Sequence, residues 1–338
     1  MKVGILTSGG DAPGINATIR GVGKTAINDY GMQVIGIRNG FSGLLYKDIV
    51  ELTDPSLSGI LNLGGTILGT AREKVFRKMI TSPDEKDREQ IKNAYHELDL
   101  DCLVCIGGNG TQRTTWMLSE LGLNVVGIPK TIDNDVYGTD VTFGFHTAVN
   151  IATDAIDRLH STASSHRRVM VIELMGHHAG WITLHAGMAG GADIILLPEL
   201  GYNLKIVIDK INQRMEMGKA YSIVAVAEGI ELPTQEHPAT YFAREIQTQT
   251  GYETRETVLG YIQRGGSPSP YDRNLGTLLG GHAAELIHER KFGQMVAKIG
   301  SEITDVPLSE VAGKLRLVTP DNQLVAQGKK MGISFGIW

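Results

Sequence analysis

Short, continuously apolar runs rich in β-branched residues alternate along this chain with longer runs of 3.6-residue period, and that alternation restricts the fold more than any other feature. Strands are expected near 2–7, 33–37, 102–106, 124–128, 168–174, 193–197, 222–227 and 256–262. Helices are expected near 14–29, 84–97, 110–121, 143–162, 203–217 and 270–289. Strand and helix in regular succession make βα units, hence an α/β fold of doubly wound, mainly parallel sheets. A length of 338 residues suits about two such lobes. No proline-rich or low-complexity linker divides the chain, so two lobes would share a chain that crosses between them more than once. A cleft between lobes is where ligands commonly sit.

In open parallel sheets, ligands gather beyond the carboxyl ends of the strands. The informative residues are therefore "SGGDAPG" (8–14), "GGNGT" (107–111), "PKTIDND" (129–135), "MGHHAG" (175–180), "AEG" (227–229) and "IQRGG" (262–266). Glycine makes up 42 of the 338 residues, about 12% against the usual ~7%, which fits a chain of many tight turns.

Several function classes are disfavoured. The formal net charge is −5 and no Lys/Arg run is long enough to mark a nucleic-acid or anionic-membrane patch. The first residues, "MKVGILTSGG", lack the apolar core of a signal peptide, and no apolar run is long enough to span a bilayer. The expected location is cytoplasmic, with no nucleic acid and no membrane as partner. Cys102 and Cys105 form a CxxC, but i and i+3 point to opposite faces of a strand, so both read as core. "GVGKT" (21–25) resembles the end of a P-loop, yet Thr18 stands where the first glycine is required, and Ile15, Ile19 and Val22 give the stretch a helical face.

The remaining loops suggest phosphate chemistry. Ser8–Gly14 lets the backbone approach a ligand and runs into a helix N-terminus, which favours an anion. Gly107-Gly108-Asn109-Gly110-Thr111 has the same build and could hold a polyphosphate, with Thr111 offering a hydroxyl; a plain βα turn is the alternative for each loop alone. In "PKTIDND", Asp133 and Asp135 could divide the work of proton acceptor and Mg²⁺ placement, unless the segment is only a polar surface turn. Arg168, Arg255 and Arg264 are candidate phosphate clamps, since a guanidinium meets phosphate bidentately.

With these motifs the sequence resembles the 6-phosphofructokinase family. The match runs from "GILTSGGDAPGINATIRG" through "GGTILGTAR", "GIPKTIDND" and "VLGYIQRGGSPSPYDR" to "GKLRLV". The resemblance implies ATP- and Mg²⁺-dependent phosphorylation of fructose 6-phosphate at C1, giving fructose 1,6-bisphosphate, the committed step of glycolysis. It implies a donor-binding lobe of residues 1–143 plus about 263–312, and a sugar-phosphate lobe of 144–262 plus about 313–338. Asp133 matches the general base, and Thr131 matches a residue holding sugar and migrating phosphate. Met175, Gly176, His177, Glu228, Tyr261 and Arg264 match sugar-binding positions. Arg168 and Arg255 match positions that reach into a neighbouring subunit's site, so a homodimer or homotetramer with shared active sites is expected. On the donor side Gly10, Arg72, Glu73 and Gly108 to Thr111 match nucleotide-binding positions, with Arg72 stabilising charge on the transferring phosphate.

Two positions bear on donor choice. Gly110 is ATP-like, because an aspartate there would intrude where the α-phosphate lies, whereas Lys130 is the choice of pyrophosphate-using members. Steric room is a precondition for ATP and an added lysine is compatible with either donor, so ATP is the expected donor and pyrophosphate the alternative. Asn109, with Asp135 an expected Mg²⁺ ligand, replaces an acid, and its neutral amide oxygen attracts the ion less strongly. His177 replaces an arginine beside the donor phosphates with a group that titrates near neutrality. His177, His178 and His185 read as polar residues at the start of an amphipathic helix rather than as a zinc site. Positions matching the family's effector site include Arg20 but also Asp54 and His160, so little response to nucleotide diphosphate or phosphoenolpyruvate is expected. A noncatalytic sensor of sugar phosphate or nucleotide is the alternative from another class; a base aimed at a hydroxyl argues against it.

Overall fold

The structure, a computed structural model, describes residues 1–71, 74–81 and 84–337. In chain order its elements are β1 (Lys2–Ser8), α1 (Ile15–Asn28), β2 (Gln33–Ile37), α2 (Phe41–Tyr46), β3 (Ile49–Glu51), α3 (Lys74–Thr81), α4 (Glu85–Glu97), β4 (Cys102–Gly107), α5 (Asn109–Glu120), β5 (Val125–Thr131) and β6 (Phe143–Gly144). There follow α6 (Phe145–His166), β7 (Val169–Leu174), α7 (Trp181–Ala189), β8 (Ile194–Leu196), α8 (Leu204–Glu216), β9 (Ser222–Ala227), α9 (Pro238–Thr250), β10 (Thr254–Val258) and a 3₁₀ turn (Gly260–Arg264). The chain ends with α10 (Pro270–His288), β11 (Gln294–Ile299), β12 (Glu302–Pro307), α11 (Leu308–Val311) and α12 (Gln323–Lys330). Two compact units result. Unit 1 comprises Met1–Ile132, Val136–His146 and Arg264–Arg316; unit 2 comprises Asp133–Asp135, Thr147–Gln263 and the segment from Leu317 onward.

The sheet of unit 1 has the order β12-β11-β5-β4-β1-β2-β3, with β6 beside β5. Its centre is parallel, and β3 and β12 are antiparallel edges. β4 is buried along its whole length, as a strand covered on both faces must be. That is why Cys102 and Cys105 are free and buried, with burial pushing the Cys105 thiol up to about 12 and Cys102 well above its ordinary value. Leu6, Ile37, Leu103, Leu118 and Val125 lie in its core; each such side chain contributes about 1.5–3 kcal/mol on burial. "GVGKT" lies within α1, where it makes a close helix crossing. A Cβ on Gly21 would stand 2.7 Å from the Thr277 carbonyl oxygen, and one on Gly280 would stand 2.6 Å from that of Thr18.

Unit 2 is built on a fully parallel sheet, β10-β7-β9-β8. β7, β8 and β9 are buried throughout. Val171, Val224, Val226, Ile211 and Phe242 lie in its core. The C-terminal segment belongs here: Ile195 N–H donates to the Ser334 carbonyl and Asn203 N–H to that of Gly336.

The elements depart from the sequence expectation most clearly in three places, besides short elements such as α2 and β3 that it did not include. The run expected as a strand over 256–262 leaves the sheet after Val258, because Gly260 takes a φ of 57° and starts the 3₁₀ turn. His177 and His178 do not open a helix: His177 has a φ of 53°, and α7 begins only at Trp181. β11 and β12 form a hairpin that the alternation did not reveal, β12 being a half-exposed edge with no continuous apolar run.

Candidate active site

In unit 1, Ser8 and Gly107 end β1 and β4 in register, with Pro129 opposite Gly107 and β5 running on only to Thr131, so three loops start close together. β1 continues through α1 to β2 on one flank and β4 continues through α5 to β5 on the other. Their boundary is thus a topological switch point, where open α/β sheets bind ligands. Gly14 holds a φ of 104° at the N-cap of α1, and Gly108 is the N-cap of α5, so two helix N-termini follow the two glycine loops. Asn109, Gly110 and Thr111 form the first turn of α5, and Thr111 N–H closes it on the Gly108 carbonyl at 2.9 Å.

The loop at Gly9 and Gly10 is tied down and flanked by cations. Thr70 Oγ1 donates to the Gly9 carbonyl at 2.6 Å, and Gly9 N–H donates to that of Ala71. Lys130, only 3% exposed, donates from Nζ to the Gly10 carbonyl. A Cβ on Gly10 would overlap the guanidinium of Arg264. Around a Cβ on Gly9, the nearest groups are Lys130 Nζ at 3.7 Å and Thr111 Oγ1 at 3.8 Å. Polar hydrogens and positive charge thus line the surroundings of this loop. Arg72 and Glu73 lie outside the described residues.

Two residues that sequence reasoning missed shape these loops. Asn16, buried in α1, donates to the Leu63 carbonyl and accepts from Ile67 N–H at 2.8 Å, fixing the segment that leads to Thr70. Gln112, also buried, donates from Nε2 to the carbonyls of Gly107 at 2.8 Å and Ile128 at 2.9 Å, joining the ends of β4 and β5. Neither residue is marked by chemistry that its local sequence reveals. Thr131 is the last residue of β5, and Thr142 Oγ1 donates to its carbonyl. Asp133 to Asp135 follow and belong to unit 2; Asn134 has a φ of 54°, and Asn134 and Asp135 are buried.

Unit 2 has its own switch point. β7 leads through α7 to β8 on one flank, and β9 leads through α9 to β10 on the other. Leu174 and Ala227 end the two strands in register, so Met175–His178 and Glu228–Gly229 are adjacent loops. Glu228 Oε1 accepts from Gly176 N–H at 3.2 Å and from His177 N–H at 2.8 Å. Gln263 Oε1 accepts from Met175 N–H at 2.8 Å. A Cβ on Gly229 would overlap the His177 carbonyl. A cavity of about 520 Å³ opens here, lined by Glu173, His177, His178, Glu228 and His237 among others. Glu173, at its buried side, accepts from Ala239 N–H at 3.0 Å and faces His237 Nδ1 at 3.3 Å, capping α9. Met175, Gly176, His177 and Glu228 are therefore together.

The other expected sugar-side residues are distributed differently. Tyr261 projects from the 3₁₀ turn and is 75% exposed. Arg264 ends that turn but falls in unit 1. Arg168 and Arg255 sit at the amino ends of β7 and β10, both paired with Glu253, the Arg168 pair at 2.8 Å. β7 has six residues, about 20 Å at the usual rise per residue, so these two arginines are a strand's length from Met175. Of the effector-matching positions, Asp54 is held by Lys24 at 2.6 Å and by Asn28, and the Lys24 hydrogen bond keeps its carboxyl below the ordinary range. His160 has both ring nitrogens engaged, with the Gly190 carbonyl at 2.6 Å and the Tyr221 hydroxyl at 3.1 Å.

Among the described residues no helix is long and apolar enough to cross a membrane. Comparison with known proteins agrees with the two-sheet architecture. A family model described as phosphofructokinase matches residues 2–287. The chain is 63% identical over 336 residues to a protein of Bacteroides thetaiotaomicron named ATP-dependent 6-phosphofructokinase 3, covering 99% of this chain and all of the relative. It is 43% identical to a pyrophosphate–fructose 6-phosphate 1-phosphotransferase of Streptomyces coelicolor, over 99% of this chain and all of that one. Among solved structures it resembles phosphofructokinase from Saccharomyces cerevisiae with a TM-score of 0.81 and 32% identity, over 92% of this chain but only 45% of the length of the yeast chain. A family model spanning most of the chain and relatives matched end to end lead to one conclusion: the chain belongs to the phosphofructokinase family.

Proposed function

We propose that this chain transfers the terminal phosphoryl group of ATP to the C1 hydroxyl of fructose 6-phosphate, yielding fructose 1,6-bisphosphate. The observation that carries this reading is the glycine switch point of unit 1, where Lys130 Nζ, the Arg264 guanidinium and Thr111 surround Gly9 and Gly10. The Gly9–Gly10 loop and the first turn of α5 receive the donor's phosphates through backbone N–H groups, and Lys130 offsets their charge. Arg72 and Glu73 serve the donor as well. Asp133 accepts the proton of the C1 hydroxyl, and Thr131 steadies the migrating group. Met175, Gly176, His177 and Glu228 hold the sugar, and Tyr261 and Arg264 are assigned to it as well.

Mg²⁺ fits the residues present. Among the described residues no three His, Cys, Asp or Glu side chains gather as a metal cage, and Mg²⁺ commonly takes one or two protein oxygens with substrate phosphates and waters supplying the rest. Asn109 and Asp135 are the hard-oxygen donors that would hold it. When bound, the ion neutralises charge on the transferring phosphoryl group. Arg168 and Arg255, displaced by a strand's length from the sugar loop of their own unit, support a homo-oligomer in which they serve a neighbouring subunit. The reaction belongs to glycolysis and its expected place is the cytoplasm.

Pyrophosphate as donor is the second reading, favoured by Lys130 and its contact with the Gly10 carbonyl. Purified protein given fructose 6-phosphate, Mg²⁺ and either ATP or pyrophosphate separates the readings by bisphosphate product. Product with ATP supports the proposal, and product with pyrophosphate alone replaces the donor. Absence of product with both leaves only a sensor.

A further inference from the structure

We infer that Gln263 is a positioning residue that sets the shape of the sugar-binding loop after β7; this rests on the fructose 6-phosphate reading above. The 3₁₀ turn from Gly260 to Arg264 splits its side chains sharply: Tyr261 and Ile262 are 75% and 68% exposed, whereas Gln263 is fully buried. That inward turn returns the chain over the end of β7, which β10 flanks in parallel up to the pairing of Val258 with Glu173. Gln263 Oε1 there takes the Met175 N–H at 2.8 Å. The next two amides, of Gly176 and His177, both go to Glu228 Oε1. Three consecutive N–H groups of one loop are therefore bound by side-chain oxygens from two separate elements, and no strand or helix bonds them.

Glu228 is already assigned to the sugar, so its hold on the loop changes when a sugar binds. Gln263 is fully buried and fixes the loop from behind, whether or not sugar is present. Its Nε2 is buried with no hydrogen-bond partner. An unpartnered buried amide nitrogen is costly. A residue selected only for packing would be apolar, so the feature that accounts for a glutamine is its carbonyl, a neutral acceptor for Met175.

The test uses the full chain with Gln263→Leu, which removes the acceptor, and Gln263→Glu, which keeps one. Hydrogen exchange of the Met175–His177 amides is read alongside steady-state kinetics and thermal unfolding. For Gln263→Leu, exchange at Met175 is expected to quicken at least about 10-fold and KM for fructose 6-phosphate to rise about 10-fold, with KM for ATP unchanged. Gln263→Glu is expected to restore slow exchange at Met175. Slow exchange at Met175 in Gln263→Leu, an equal rise of both KM values, or failure of Gln263→Glu to restore protection would each overturn the inference. If the wild-type protein does not phosphorylate fructose 6-phosphate, the functional reading fails, and the exchange measurement still decides the role of Gln263.

Discussion

The two units use the same device, a pair of adjacent strand ends at a switch point, but furnish it with opposite chemistry. In unit 1 the loop at Gly9 and Gly10 is held by hydroxyl and backbone contacts, and the charges beside it, Lys130 and Arg264, are positive. In unit 2 the loop from Met175 to His177 is held by its own acid and amide, Glu228 and Gln263, which take its N–H groups before a ligand can. Gly180, which precedes α7, is treated likewise: its N–H goes to Glu199 Oε1 at 2.8 Å, which also takes Val318 N–H. A glycine loop flanked by cations suits polyphosphate. One saturated by a carboxylate repels a bare anion and presents oxygens to hydroxyl groups, as a sugar requires. One topology thus serves donor and acceptor because the side chains beyond the strand ends differ.

Substitutions on each side sharpen that contrast. Of the substitutions that bear on this contrast, Lys130→Met is expected to have the largest effect. A charge-assisted hydrogen bond is worth about 1.5–3 kcal/mol, so kcat/KM for ATP should fall roughly 10- to 150-fold, with KM for fructose 6-phosphate steady. Steady-state kinetics with each substrate varied in turn checks this, and equal losses on both sides would erase the distinction. Gly229→Ala addresses the other loop: its Cβ meets backbone, the His177 carbonyl, rather than the movable end of a side chain. Overpacking of this kind costs about 1–3 kcal/mol, readable in urea unfolding, and KM for the sugar phosphate should rise while KM for ATP holds. The smallest effect concerns the cysteines, both of which lie in β4 of unit 1. With their thiols buried and raised in pKa, neither is expected to react with a thiol reagent in the native protein at pH 8, and Gly229→Ala should leave them equally protected. Rapid labelling of a native thiol would contradict the packing of β4.

Where a physical pattern repeats, the sequence was a good guide. β1, β4, β5, β7 and β9 are continuous apolar runs, and the glycine loops after β1 and β4 stand at helix N-termini as their composition suggested. The start of α7 escaped because Trp181, Ile182, Thr183, Leu184 and Ala186 are all buried, which erases the one-faced period that betrays a surface helix, so the amphipathic helix expected to open at His177 begins only at Trp181. Gln263 and Asn16 escaped for a different reason. Each acts through bonds to backbone remote in sequence, 88 residues away for Met175 and 51 for Ile67, and nothing local encodes such a partner. Arg264 reads as a sugar clamp by resemblance, while its guanidinium lies against Gly10; only packing could reveal that neighbour.

The most direct test of the whole account is Asp133→Asn. An amide cannot take the proton of the C1 hydroxyl, so kcat should fall by about 10²–10⁴, while binding of fructose 6-phosphate and of ATP, measured separately by calorimetry, stays near wild type. Turnover undiminished in that variant would contradict the assignment of Asp133 as the base, and with it the proposed phosphoryl transfer.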